Sequence, residues 1–204
     1  YTIVDQTTAT NAKINPATLT VTADDKSKTY GDANPTLTYT ITGYKNSENA
    51  TSAGITGAPS LSTTALTGSS VGSYTITSAA NNLAANNYQF TYVDGTLTVG
   101  TRAITVTADN QSRVYGVANP TFTYVVAADN GTTRGMYSSD TLSGSLATTA
   151  TETTAVGTAA ITQGTLANSN YAITYVAGTL TINKATLTVT ADDKSKTYGD
   201  ANPT

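Results

Sequence analysis

The sequence predicts an all-β protein: tandem small immunoglobulin-like β-sandwich repeats that follow one another in an elongated rod. Two observations carry this prediction. A long motif recurs along the chain, and apolar residues alternate with threonine inside each recurrence. The segment Ala17–Thr36 returns letter for letter as Ala185–Thr204, and a diverged copy runs from Ala103 to Thr121. Such a period is typical of a string of like modules.

The repeat length sets the domain organisation. Copies of one tyrosine, Tyr30, Tyr115 and Tyr198, are separated by about 85 and 83 residues. This spacing divides the 204 residues into four segments: the tail of a preceding repeat with its junction (1–16), repeat 1 (17–100), repeat 2 (101–184) and the truncated start of repeat 3 (185–204).

Each complete repeat is predicted to contain six or seven short strands, because apolar side chains recur at every second position. Turn residues separate these stretches, and no stretch carries the apolar stripe of a helix. The sequence pattern does not determine the order of the strands within a sheet, so β-grasp-like modules with a mixed sheet are the alternative. In repeat 1 the predicted strands lie, in order, near Leu19–Ala23, Lys28–Tyr30, Leu37–Ile41, Leu61–Thr64, Tyr74–Ile76, Tyr88–Tyr92 and Leu97–Val99.

The junction between repeats has no flexible linker. Gly95–Ala108 and Gly178–Ala191 each join the last strand of one repeat to the first strand of the next. At roughly 3.3 Å per residue, fourteen residues extend about 45 Å, so one nearly continuous segment is expected to serve two repeats and to restrict their mutual orientation. We also expect Ala185–Thr190 to extend the last strand of repeat 2 or to pair with another molecule.

Composition excludes several classes of function. The net charge is -3 and 11% of residues are charged, so no basic surface is expected to attract nucleic acid or anionic lipid. No apolar run is long enough to insert into a membrane. The chain has neither His nor Cys to activate a nucleophile, so we expect no enzymatic activity and no cofactor. Ligand-binding residues cannot be assigned.

Three local patterns have a functional and a structural interpretation. Oxygen ligands for calcium could come from Asp24, Asp25, Asp32 and Asn34. Solvated turn residues are the favoured interpretation, because repeat 2 has Asn110 and Val117 at the positions of Asp25 and Asp32. Lys28 is a candidate for an isopeptide cross-link, which its counterpart Arg113 cannot form. The recurring tyrosines are interpreted as core residues and not as a glycan-stacking face; they are the pairs Tyr30/Tyr115, Tyr39/Tyr124, Tyr88/Tyr171 and Tyr92/Tyr175. The better candidates for exposed contacts are Tyr44 and Tyr137, which lie in the least similar segments.

Three motifs occur twice and in the same order. In repeat 1 they are Thr20–Tyr39 (TVTAxxxSKxYGxxNPxxxY), Val71–Thr77 (VGxYxIT) and Asn87–Thr98 (NYxxxYxxGTLT), and in repeat 2 Thr105–Tyr124, Val156–Thr162 and Asn170–Thr181. Together they resemble the MBG repeats (YGX type) of large bacterial surface adhesins, including filamentous-haemagglutinin-like exoproteins. The resemblance implies a surface-exposed repeat that builds length, and it carries over no catalytic or ligand residue.

The expected function is therefore a structural stalk or spacer in an exported bacterial adhesin or matrix fibre, located extracellularly at the cell surface and supporting cell adhesion or biofilm formation. Its expected partners are neighbouring repeats of the same chain. The alternative is a module that binds glycan or other cell-surface material through its variable loops, Tyr44–Ala58 and Ala128–Gly144.

Overall fold

The structure is a computed structural model that describes residues 13–130 and 134–204. Most of the segment assigned to a preceding repeat therefore lies outside the described residues. Within the described ranges the regular structure consists of thirteen β-strands without a helix: β1 Ala17–Ala23, β2 Lys26–Thr29, β3 Tyr39–Thr42, β4 Ser60–Thr63, β5 Gly72–Ala79, β6 Tyr88–Val93, β7 Gly95–Gly100, β8 Arg102–Ala108, β9 Gln111–Val114, β10 Tyr124–Val126, β11 Gly157–Ile161, β12 Tyr171–Val176 and β13 Gly178–Asn183.

The strands of repeat 1 form two sheets. One has the order β3-β1-β6, in which β1 is antiparallel to β3 and parallel to β6. The other has the order β2-β7-β5-β4, in which β7 is parallel to β2 and antiparallel to β5. The second repeat has sheets of order β10-β8-β12 and β11-β13-β9. The predicted strands of repeat 1 are therefore present, and their parallel pairs make both sheets mixed, a feature that the β-grasp-like alternative included.

The two sheets of repeat 1 pack on a shared apolar core. Ala23 of β1 lies in one cluster with Ile76 of β5 and Leu97 of β7, and all three side chains are buried. A second cluster joins Leu19 of β1 to Tyr88 of β6. Burying apolar side chains between two sheets is the defining feature of a sandwich. The all-β, sandwich-like prediction is therefore confirmed.

The chain divides into two compact units. The first comprises the described residues up to Ile104 together with Met136–Asp140 and Asn168–Ala172, and the second comprises the remaining described residues. The first unit therefore contains all of repeat 1, residues 101–104 at the start of repeat 2, and two further short segments of repeat 2. These two further segments contribute residues to the candidate site described below.

The identical segments Ala17–Thr36 and Ala185–Thr204 have different structures. Leu19 in β1 is fully buried between β3 and β6, whereas the corresponding Leu187 is 85% exposed and lies in no strand. Because β13 ends at Asn183, the expected extension of that strand into Ala185–Thr190 is wrong. A strand needs neighbours to satisfy its backbone groups, and no described strand lies beside this segment.

Candidate functional site

The recurring Tyr-Gly pair lies in a tight turn after the second strand of each repeat. We call residues 30–32 the first Tyr-Gly turn and residues 115–117 the second. Asp32 donates its backbone N–H to the carbonyl of Thr29 at 3.0 Å, which closes the first turn. Gly31 has a φ of +82° and Gly116 a φ of +84°, left-handed conformations that favour glycine. Backbone geometry therefore explains the glycine of the motif.

Two further residues of the motif tether the turn to a neighbouring loop. Lys28 donates from Nζ to the carbonyl of Leu66 at 2.6 Å, and Asn34 donates from Nδ2 to the carbonyl of Ala65 at 2.6 Å. The pattern recurs in repeat 2, where the same two bonds run from Arg113 to Thr151 and from Asn119 to Ala150. Lys28 and Arg113 make equivalent bonds to carbonyl oxygens. The basic residue at this position of the motif therefore serves to hold the neighbouring loop.

Tyr30 is buried within the first compact unit, with 5% of its surface exposed. Its ring meets the rings of Tyr137 and Tyr171 edge to face, with centroids 5.5 and 5.6 Å apart. Each such pair contributes roughly 0.5–1.5 kcal/mol beyond the area that it buries. The first Tyr-Gly turn is therefore held by aromatic residues that the chain supplies more than 100 residues later.

One carboxylate oxygen joins two of these tyrosines. Tyr30 and Tyr171 both donate their hydroxyl protons to Oδ2 of Asp140, at 2.9 and 2.5 Å. The hydroxyl oxygen of Tyr171 also accepts from the backbone N–H of Tyr137 at 2.9 Å. Hydrogen bonds to an ionised acceptor are stronger than neutral ones. We call these four residues, Tyr30, Tyr137, Asp140 and Tyr171, the tyrosine clamp.

The remainder of the first turn also fits its surroundings closely. A Cβ atom at Gly31 would lie 2.8 Å from Cδ2 of Tyr137, whereas a Cβ at Gly116 would meet nothing within 4 Å. Oδ1 of Asp32 lies 3.8 Å from Nη1 of the buried Arg102. All three residues of the first turn therefore contact side chains from elsewhere in the chain. In the second turn, by contrast, Tyr115 and Val117 are exposed.

Burial raises the pKa of Tyr171 to about 12, and its hydrogen bond to Asp140 adds to the rise. Burial also raises the pKa of Tyr30, and Asp140 again contributes. In both cases the ionised phenolate loses hydration and gains a negative neighbour, so the neutral form is favoured. Both tyrosines therefore act as hydroxyl donors at neutral pH.

The raised pKa of Tyr171 predicts alkaline destabilisation. The unfolded chain loses this proton near pH 10, whereas the folded chain keeps it until about pH 12. The folded state then binds more protons between these values, so stability is complete below pH 10 and falls as pH rises towards 12. Urea unfolding across this range is expected to show a shallower fall for Tyr171→Phe than for the unsubstituted chain. Equal slopes would contradict the assignment.

A second arrangement of the same kind lies within repeat 1. Tyr88 donates its hydroxyl proton to Oε2 of Glu48 at 2.5 Å and accepts from the backbone N–H of Lys45 at 3.0 Å. Tyr44 packs edge to face on Tyr88, with centroids 6.3 Å apart. In both arrangements the acidic residue follows the N–H donor by three positions. Tyr88 and Glu48 therefore correspond to Tyr171 and Asp140.

An open cavity lies beside this second arrangement, and no tyrosine from another repeat fills it in the described part of the chain. Its volume is about 410 Å³. Polar and apolar residues both line it, with Ala17, Lys45, Glu48, Asn87 and Tyr88 among them. We call it the Glu48 socket.

The structure corrects the expectations for individual tyrosines. Tyr44 and Tyr137, predicted to be exposed, are both partly buried, because each packs on another tyrosine ring. Tyr30, Tyr88 and Tyr171 are buried, which confirms them as core residues. Tyr115 was also predicted to be a core residue, but it is 45% exposed. The prediction for Tyr115 is wrong because, among the described residues, no other aromatic ring packs on it.

The aspartates considered for calcium are engaged in local hydrogen bonds. Asp24 accepts from the hydroxyls of Thr38 and Thr40, and these bonds lower the pKa of its carboxyl group. Asp25 accepts from the backbone N–H of Thr96 at 2.7 Å. In the described ranges no group of three or more acidic, His or Cys side chains could hold a metal ion. These aspartates tie strand ends together.

Lys28, the candidate for a covalent cross-link, uses its ammonium group for backbone carbonyls. Besides Leu66, it donates to the carbonyl of Asp32 at 3.0 Å. Burial lowers the pKa of Lys28. The position therefore acts as a hydrogen-bonding tether, which Arg113 reproduces.

Comparison with known proteins places this architecture in a family. The sequence profile of the MBG domain (YGX type) matches residues 19–98 and again residues 104–181. The chain belongs to the MBG domain family. No curated protein and no solved structure matches it.

The two MBG matches coincide with the two sheet pairs, so the Tyr-Gly turn and the three motifs are explained as parts of one repeating module. MBG domains are repeat modules typical of surface proteins. In the described part of this MBG chain, no helix has the length and hydropathy needed to cross a membrane.

Sequence reasoning missed the two acidic residues that anchor the tyrosines. Asp140 and Glu48 are 92 positions apart, so neither falls on the repeat spacing of about 85 residues. The usable signal was local: each lies three positions after the residue whose N–H binds a tyrosine hydroxyl. An alignment of the two repeats at their regular spacing therefore does not pair Glu48 with Asp140.

Proposed function

We propose that this chain is a stretch of spacer repeats from an exported bacterial surface protein, where it builds length in an adhesin or matrix fibre that supports adhesion or biofilm formation. It acts outside the cell, catalyses no reaction, and has the neighbouring repeats of its own chain as partners. The family supports a surface repeat, and the finer role is the proposal.

The observation that carries the spacer role is the tyrosine clamp. A spacer must join its repeats more firmly than a flexible linker does. Tyr30, from repeat 1, shares the Asp140 carboxylate with Tyr171, from repeat 2, inside one compact unit. In addition, only Thr101 separates β7 from β8. Both features support the proposal that consecutive repeats are joined firmly and not by a flexible linker.

The length of longer arrays tests the spacer role. Chains of two, four and six repeats can be made by joining copies at the shared segment Ala17–Thr36, and their maximum dimension can be measured by solution X-ray scattering. We expect this dimension to grow in proportion to repeat number. A flexibly jointed chain would instead grow roughly as the square root of that number, which would contradict the proposal.

Direct binding tests the alternative, a module that recognises glycan. The partial burial of Tyr44 and Tyr137 leaves less aromatic surface for stacking on a sugar. We therefore expect the full chain to bind no sugar on a glycan array. Saturable binding that is lost when exposed residues of the Tyr44–Ala58 loop are replaced would contradict a pure spacer role.

A further inference from the structure

We propose that the Glu48 socket receives a second Tyr-Gly turn, Tyr115-Gly116-Val117, from another copy of this repeat pair. The hydroxyl of Tyr115 then donates to Glu48, as Tyr30 donates to Asp140. The inference concerns how repeats join, and it stands whether or not the array serves adhesion.

The occupied site provides the template for the open one. In the tyrosine clamp, the hydroxyl of Tyr171 donates to Asp140 and accepts a backbone N–H, and the same carboxylate oxygen accepts from the inserted Tyr30. In the Glu48 socket, Tyr88 makes both of the corresponding bonds. Among the described residues no further tyrosine is inserted beside Tyr88, and a cavity of about 410 Å³ lies there.

The second Tyr-Gly turn has the shape of the missing occupant. Tyr115 holds the same backbone position as Tyr30: its N–H donates to Asn183 at 2.9 Å, as that of Tyr30 donates to Gly100 at 2.9 Å. Gly116 repeats the left-handed conformation, with a φ of +84°. Yet Tyr115 is 45% exposed and Val117 is 53% exposed. An aromatic and an aliphatic side chain are thus presented to solvent on a preformed turn.

The residues that flank each site match in polarity. Arg102 donates its backbone N–H to Asn170 at 2.9 Å and carries the charge that faces Asp32 of the first turn. Ala17 donates its backbone N–H to Asn87 at 3.0 Å, so it holds the Arg102 position in the Glu48 socket. In the clamp, Asp32 of the first turn therefore faces Arg102. In the socket, Val117 of the second turn would face Ala17, so the turn that carries valine matches the socket that carries alanine.

The side chain expected to lie against the turn differs between the clamp and the socket. In the clamp, the ring of Tyr137 lies so close to Gly31 that a Cβ there would clash at 2.8 Å. Lys45 stands at the corresponding place in the socket, because its N–H makes the bond that Tyr137 makes in the clamp. A flexible lysine stem can lie along the turn while its ammonium group stays in water.

The test joins two copies at their identical segments, and Lys184 of the first copy then stands in the place of Pro16, one of the residues that line the Glu48 socket. Residues 1–184 are followed by residues 17–204 of a second copy, which is seamless because Ala185–Thr204 and Ala17–Thr36 are identical. The second turn of the first copy then precedes the Glu48 socket of the second copy, and the tether raises their effective concentration. Tyr115→Phe in the second copy ensures that any nitration detected at position 115 comes from the first copy. Nitration of Tyr115 by tetranitromethane is then measured by peptide mass spectrometry.

We expect Tyr115 of the first copy to react several times more slowly in the joined chain than in the original 204-residue chain. Glu48→Gln in the second copy should restore part of the reactivity, and Glu48→Ala with Tyr88→Phe should restore most of it. Equal reactivity in the joined and original chains would overturn the proposal. So would protection that survives both sets of substitutions while circular dichroism shows the fold intact.

A charge exchange tests the matching of the flanking residues. Val117→Asp in the first copy should abolish protection of Tyr115, since it places a carboxylate against Ala17. Adding Ala17→Arg in the second copy should restore protection, because it recreates the pairing of Asp32 with Arg102. If the single substitution has no effect, or the double variant remains unprotected while folded, the proposed contact is wrong.

Discussion

Tyr30→Ala is expected to lower the free energy of unfolding by about 3 to 5 kcal/mol, the range for truncating a buried aromatic side chain. The substitution removes two edge-to-face ring contacts and leaves a cavity in the first compact unit. It also removes one of the two hydroxyls bound to Asp140. Urea unfolding of the full chain, followed by circular dichroism and tyrosine fluorescence, measures the loss.

Tyr115→Ala provides the matched control for this substitution. Tyr115 occupies the same position in the second turn, but 45% of its surface is exposed and its side chain lies outside the clamp. We expect it to cost less than about 1 kcal/mol, as for most exposed positions. Losses of similar size for Tyr30→Ala and Tyr115→Ala would show that burial in the clamp does not stabilise the chain.

Asp140→Ala is expected to cost about 2 to 4 kcal/mol, because it leaves two tyrosine hydroxyls without their acceptor. Each buried donor that loses its partner costs roughly 1 to 3 kcal/mol. Tyr30 and Tyr171 are each more than nine-tenths buried, so water replaces the carboxylate poorly. The same urea experiment provides the measurement.

Two graded variants accompany Asp140→Ala. Asp140→Asn keeps an acceptor oxygen and loses the charge, so it should cost clearly less. Glu48→Ala removes the acceptor of a single tyrosine, Tyr88, and should also cost less. If Asp140→Asn and Asp140→Ala were equally harmful, the carboxylate would act through its charge and not through the two hydrogen bonds.

Much of the fold was predictable because its signals are local. Threonine alternating with Leu19, Val21 and Ala23 identifies a half-buried strand whatever its neighbours are. Glycine in the recurring turn could be anticipated for the same reason, since its left-handed φ depends on the backbone alone. Strand order was not predictable, because the pairing of β1 with β6 joins residues about 70 positions apart.

Identical sequence did not ensure identical structure. Val21 is fully buried, whereas Val189, with the same neighbours along the chain, is 85% exposed. The difference arises because β1 lies between β3 and β6, and no described strand flanks Val189. Tertiary neighbours therefore decide whether this segment becomes a strand, which no local pattern reveals.

The candidate site was the least predictable part. Its acceptors, Asp140 and Glu48, lie in the segments that differ most between repeats, where alignment by register fails. The sequence favours Tyr137 as an exposed contact because it lies in one of the least similar segments of the two repeats. In fact its ring packs on Tyr30, and its N–H binds Tyr171. A contact between segments more than 100 residues apart depends on the fold and not on sequence pattern.

The most direct test of the clamp is a double-mutant cycle between Tyr30→Phe and Asp140→Ala in the full chain, measured by urea unfolding. Because Phe keeps the ring and removes only the hydroxyl, the cycle isolates the hydrogen bond between these two residues. We expect a coupling free energy of about 1 to 3 kcal/mol, as for a hydrogen bond to a charged group. Additive effects, within about 0.5 kcal/mol, would contradict the clamp.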